Sequence, residues 1–114
     1  MKYPISLFWN IGKMVYDNQD VSENPIQKYS NYYSYFFGNS FLFTRENVHL
    51  MKKLYLTFPI FYKRMEDIDW NQYQLLLSIP SPKERYFYFS LSLLFHSNYQ
   101  ETFEFIQNKY YSRI

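Results

Sequence analysis

Thr44-Arg45-Glu46-Asn47-Val48-His49-Leu50-Met51-Lys52-Lys53-Leu54-Tyr55-Leu56 is the stretch on which the fold class turns. At about 100° per residue, Val48, Leu50, Met51, Leu54 and Tyr55 fall within one broad arc. Arg45, His49, Lys52 and, at its margin, Lys53 fall on the opposite side. The pattern predicts an amphipathic helix from Arg45 to about Leu56, with Thr44 as its N-cap and a basic outer stripe. Phe58-Pro59 ends it.

Working upstream, Gly38-Asn39 is a helix stop, because either residue tolerates the left-handed backbone found there. Ser40 to Phe43 makes the turn. Asn24-Pro25 is a helix start, and Ile26, Tyr29, Tyr33, Phe36 and Phe37 carry the helical spacing as far as Phe37. A first helix is expected over Ile5 to Tyr16, with the stripe Leu7, Phe8, Ile11, Met14 and Val15. Gly12 inside it lowers helix propensity by about 1 kcal/mol relative to Ala, which points to a close packing contact. The polar segment Asp17 to Asn24 is expected to be a loop.

Downstream, Ile60 to Ile68 is a connector or short helix of mixed charge, and Trp70 to Ile79 is a fourth helix with Trp70, Tyr73, Leu76 and Leu77 on one side. Pro80-Ser81-Pro82 is a firm break. Lys83 to Phe95 is apolar nearly all round, which predicts the buried centre of the domain. Tyr86 to Leu93 also has strand-like residues, but its length and helical neighbours favour helix. Ser97 is the expected N-cap of a last helix, Asn98 to Tyr111, with the stripe Phe103, Ile106 and Tyr110. The sequence thus predicts an all-α chain: a compact five- to six-helix single domain over residues 1–114. It contains a helix-turn-helix-like element at about 25–56.

Composition narrows the function classes. The 114 residues are 47% hydrophobic and 19% charged, which is globular rather than disordered. Aromatic content is high, with 14 Tyr, 12 Phe and 2 Trp. An AT-rich genome raises Tyr, Phe, Asn and Lys together, so this load is read first as core and boundary packing. Absence of Cys excludes disulfides, zinc knuckles and thiol catalysis. Met1 to Trp9 lacks the h-region and cleavage site of a signal peptide. The longest runs without Asp, Glu, Lys or Arg, Tyr29–Thr44 and Tyr86–Gln100, are too polar to cross a membrane. The expectation is a soluble, cytoplasmic chain. Net charge is only +2, but Arg45, Lys52, Lys53, Lys63 and Arg64 face the single acid Glu46 between residues 44 and 64. Asp17 to Glu23, by contrast, has three acids and no base.

Catalytic groupings are weak. His49 and His96 are the only imidazoles, and neither has the i, i+4 carboxylate or second His that a metal site on a helix would need. Glu66, Asp67 and Asp69 lack a lysine in nuclease arrangement and are expected on a solvated loop. No Gly-rich phosphate loop exists, so no enzyme activity, cofactor or metal is expected. The basic helix carries the sharper chemistry. Arg45 can fork onto guanine, Asn47 can pair with adenine, and Lys52 and Lys53 can neutralise phosphates. Thr44 and His49 complete the candidate nucleic-acid-binding set.

Several motifs resemble one family. Leu7-Phe8-Trp9-Asn10-Ile11-Gly12-Lys13 resembles the opening of the N-terminal domain of the YhcG family, a helical domain that precedes a PD-(D/E)XK nuclease domain in bacterial proteins. Phe43-Thr44-Arg45-Glu46-Asn47-Val48, then Met51, Tyr55 and Phe58-Pro59, continue the likeness. So do Trp70-Asn71-Gln72-Tyr73, Leu75-Leu76-Leu77, Arg85-Tyr86-Phe87-Tyr88, Phe105-Ile106 and Tyr110-Tyr111-Ser112-Arg113. Asn71-Gln72 and His96-Ser97 depart from the family's pattern. The resemblance implies a helical domain with a helix-turn-helix-like element that contributes DNA binding in a mobile-element or defence setting. Here it is expected as a free-standing copy without the nuclease half.

The functional expectation is a non-catalytic module that binds double-stranded DNA through residues 44–56, as a homodimer. The alternative is a protein-interaction module, such as a phage or mobile-element inhibitor or assembly partner of a nuclease system, motivated by the surplus of Tyr and Phe.

Overall fold

Helix signals and observed helices coincide closely in the first half of the chain. In a computed structural model describing residues 3–18 and 24–113, α1 spans Ile5–Asp17, α2 Pro25–Phe37 and α3 Arg45–Thr57. α4 follows at Trp70–Leu77, α5 at Pro82–Phe95 and α6 at Tyr99–Gln107. Short 3-10 turns lie at Lys63–Asp67 and Tyr110–Arg113. No strand occurs among the described residues, so the fold is all-α as the periodicity predicts. The expected loop at 19–23 lies outside the described residues. The elements group into two compact units, Met1–Phe61 and Tyr62–Ile114.

In the first unit, α1 packs chiefly along α3. Ile5, Phe8, Ile11 and Val15 from α1 and Val48, Met51 and Leu54 from α3 are buried. Gly12 sits where the helices come closest, and a Cβ there would overlap the backbone carbonyl of Met51. This is the packing contact that the glycine foreshadows. Met14, placed on the inner stripe by spacing, is instead exposed, and Ile5 is inside. The indole nitrogen of Trp9 donates to the Phe58 carbonyl at 2.7 Å, tying α1 to the end of α3. Its ring meets Tyr55 edge-on at 5.2 Å.

α2 is held differently. Its N-terminus is capped by Asn24, whose side chain accepts from the amides of Ile26 and Gln27, with Pro25 at the first helical position. Its C-terminus closes on Gly38 at φ 63. Of its side chains only Ser30 is buried. Ser30 and Ser34 both donate to the carbonyl of Phe43, at 2.7 and 3.2 Å, which fastens the turn onto the helix. Phe43 is buried and stacks on Phe37 at 5.2 Å, with Phe8 and Tyr33 beside it. The aromatic load is thus divided between core, boundary and surface: Phe8 and Phe43 are buried, Tyr33 and Phe37 half-buried, and Tyr35 and Phe36 exposed.

In the second unit, α4, α5 and α6 pack on one another. Tyr73, Leu76, Leu77 and Phe89 are fully buried among them. The Tyr73 hydroxyl donates to the Met65 carbonyl at 2.6 Å and so fixes the 3-10 turn. Burial, with Tyr62, Glu66 and Asp67 nearby, pushes the Tyr73 hydroxyl well above the usual phenol range. The Arg85 guanidinium donates to the Ile79 carbonyl through both Nε and Nη2, at 3.2 and 2.6 Å. Gln72 donates to the Ser97 carbonyl and the Thr102 hydroxyl, joining α4 to α6.

Four expectations are corrected here. α5 is not buried all round: Arg85, Tyr88, Phe89 and Ser92 face inward, but Tyr86, Leu94 and Phe95 are exposed. Two neighbouring helices cover only one side of it, so an apolar sequence does not guarantee an apolar surrounding. The N-cap of α6 is Asn98 rather than Ser97. Asn98 accepts from the Glu101 amide, and the Glu101 side chain accepts from the Asn98 amide, so the capping box forms one residue later than Ser97 and its own Gln100 would place it. α6 also stops at Gln107, where Asn108 caps it, and Lys109 follows at φ 53. Asp69, expected on a solvated loop, is the N-cap of α4 in a second capping box with Gln72.

Candidate nucleic-acid interface

Among the six side chains singled out by sequence, Thr44 and Asn47 serve the helix start. Thr44 Oγ1 accepts from the Asn47 amide at 3.1 Å. Asn47 Nδ2 turns back to the carbonyls of Leu42 and Phe41, at 3.0 and 3.4 Å. Its amide group therefore holds the turn that leads into α3 and is occupied within the chain.

Arg45, His49 and Lys52 recur at spacings of four and three, which keeps them on one side of α3. Arg45 and His49 are exposed and Lys52 half-buried. None of the three makes a hydrogen bond or ion pair among the described residues. Lys53 is also half-buried, one step round the helix. Lys63 and Arg64, which complete the basic run in sequence, belong to the second unit. There Arg64 lies 3.6 Å from Asp67 and donates to the Leu93 carbonyl. In the first unit the basic residues that share one helix face are thus those of the α3 stripe, with Lys28 exposed on α2.

Beside that stripe runs an open groove between the start of α2 and α3, lined by Asn24, Ile26, Arg45, Glu46, His49 and Leu50. Arg45 and His49 belong to both stripe and groove. Sequence reasoning missed the groove, because Leu50 was assigned to the core and Ile26 to the inner stripe of α2. It missed a second surface as well. Tyr32, Tyr35, Phe36 and Phe41 are exposed, Tyr35 by 92% and Phe41 by 90%. Tyr32, Tyr35 and Phe36 at spacings of three and one define an outward face of α2 that a helical wheel could have shown. Helical spacing alone puts Phe36 on the inner face, whereas it is exposed. No helix is long and apolar enough to cross a membrane among the described residues. No group of three His, Asp or Glu side chains that could hold a metal ion occurs among them either.

A family model described as the DUF1016 N-terminal domain matches residues 2–113. The chain belongs to this family. The resemblance read from the motifs therefore holds along nearly the whole sequence. Neither the curated proteins nor the solved structures provide a match to the chain.

In this DUF1016 N-terminal domain, the residues that carried the resemblance are largely architectural. Trp9 bonds Phe58, Gly12 meets Met51, Phe43 receives Ser30 and Ser34, and Arg85 holds Ile79. A family signature of this kind specifies helix packing. The surface chemistry of the DUF1016 N-terminal domain must be read from the exposed residues instead, among which Arg45 and Glu46 lie inside a motif.

Proposed function

We propose that the chain is a non-catalytic DNA-binding module that lays the outer face of α3 against duplex DNA. The observation that carries this reading is the row Arg45, His49 and Lys52, aligned on one helix face, with no hydrogen bond or ion pair among the described residues. A side chain already engaged by a carboxylate gives little to a phosphate, whereas these three donors are uncommitted. α2, the pinned turn and α3 form the helix-turn-helix-like unit, and α3 presents its N-terminal residues as a groove-reading helix does. The defence or mobile-element setting that the family resemblance implies is consistent with such a role.

The test is a mobility-shift titration of duplex DNA over a salt series. Affinity falls with salt, and Arg45→Ala and Lys52→Ala each lower the slope of log K against log salt by about one. The variants keep the helical circular-dichroism spectrum, since neither side chain contributes a bond among the described residues. Absence of duplex binding at low salt sinks the reading.

The outward aromatic face favours a second reading, a protein-interaction module. Tyr32, Tyr35, Phe36 and Phe41 lie within a run that carries no Asp, Glu, Lys or Arg from Tyr29 to Thr44. Exposed aromatics of this density suit a protein contact, and an uncharged surface does not repel its own copy. A homodimer through α2 is compatible with DNA binding through α3. A partner protein, such as a nuclease-system component, would use the same face.

A further inference from the structure

The groove between α2 and α3 has a chemistry that the stripe alone does not explain. Ile26 and Leu50 give it apolar walls, Arg45 gives it a guanidinium, His49 an imidazole, and Glu46 adds a carboxylate. Glu46 makes no hydrogen bond or ion pair among the described residues. A carboxylate beside a phosphate-binding row is unfavourable for phosphate, so it needs a different group to accept from. We propose that this groove holds one unpaired nucleotide of the bound DNA, with guanine preferred. The proposal rests on the DNA-binding reading above and narrows its substrate to DNA with an unpaired base.

The argument runs through the parts of a nucleotide. Its phosphate is an anion for Arg45 and His49, which stand on both stripe and groove, so a backbone lying on the stripe delivers its bases to the groove. The base faces are apolar and flat, which suits Ile26 and Leu50. The base edge carries N–H donors for Glu46. Guanine alone has a ring N–H and an exocyclic amino group side by side, so it can give a carboxylate two parallel hydrogen bonds. Adenine and cytosine offer an amino group beside an acceptor, and thymine a single ring N–H between two carbonyls. In a paired duplex that guanine edge is consumed by cytosine. The occupant is therefore a base without a partner, for which extrusion costs least.

Fluorescence anisotropy at one fixed salt concentration decides it, with three probes: a fully paired duplex, the same duplex with one bulged guanine, and the same with one bulged thymine. The bulged-guanine duplex is expected to bind about tenfold more tightly than the paired one, the scale of one good bidentate contact. Within each variant the ratio of affinities is the readout, which cancels any general change in charge. Glu46→Gln is expected to bring the guanine-to-thymine ratio towards one. Leu50→Ser is expected to remove the preference for either bulge over paired DNA. Equal binding of all three probes by the wild type overturns the groove proposal and leaves the DNA reading standing. Failure to bind any probe overturns both. A guanine preference that survives Glu46→Gln overturns the proposal. So does nuclear magnetic resonance titration in which a carboxylate-terminated apolar peptide shifts the His49 and Leu50 signals while dGMP does not.

Discussion

At Gly12 helix propensity and packing point in opposite directions. Alanine would gain about 1 kcal/mol of helix propensity over glycine. Its methyl would also overlap the Met51 carbonyl, a backbone atom that moves only if α1 and α3 separate. Overpacking of this kind costs about 1–3 kcal/mol and falls on the contact that organises the first unit. Gly12→Ala is therefore expected to lower stability in urea denaturation; a gain would show that the helices part easily. Tyr73 poses the complementary question of charge. Its hydroxyl is buried and its pKa raised, so the neutral form is the one the fold favours. Stability is then fully present below the ordinary phenol pKa of about 10 and is lost as pH rises beyond it. Tyr73→Phe is expected to cost about 1 kcal/mol at neutral pH through the lost bond to Met65. It is also expected to flatten the alkaline decline in thermal melts, and an unchanged decline would remove Tyr73 as its source.

The elements show which sequence signals carry weight. Asn24-Pro25, Thr44 and Gly38 mark boundaries by chemistry local to the chain, so the limits of α2 and the start of α3 were legible in advance. Ser97 misled because its neighbour Asn98 has Glu101 three residues on and forms the reciprocal pair. Asn98→Ala should therefore destabilise by about 1 kcal/mol, whereas a similar loss at Ser97 cannot come from capping. The comparison is read in urea unfolding of both variants. α5 was misjudged for a different reason. Its composition is apolar on most sides, but burial depends on how many neighbours a helix has, and Leu94 and Phe95 stay largely exposed, Phe95 meeting only Phe105 among the described rings. Within α3, Asn47 and Arg45 looked equally available as base readers. Only the path of the turn shows that Asn47 faces back to Phe41 and Leu42 while Arg45 faces out.

For the whole molecule, the net charge of +2 lies in residues 1–61, with six bases against four acids; residues 62–114 balance at six against six. Electrostatic attraction to a polyanion thus belongs to the unit that holds α3. The same unit carries the outward aromatics of α2. If that face pairs two copies, the wild-type chain travels as a dimer in light scattering coupled to gel filtration, and Tyr35→Lys with Phe36→Lys yields a monomer. A wild type that stays monomeric at every concentration removes the homodimer. The sequence by itself determined the all-α class, the first three helices, the family and the basic stripe, because caps, periodicity and motif spacing are properties of neighbouring residues. The tertiary structure alone decided which apolar side chains stay outside, that Asn47 is committed to the turn, and that Ile26 and Leu50 wall a groove with Arg45, Glu46 and His49. Those facts depend on which helices meet, and contacts between residues distant in sequence leave no mark in any local pattern.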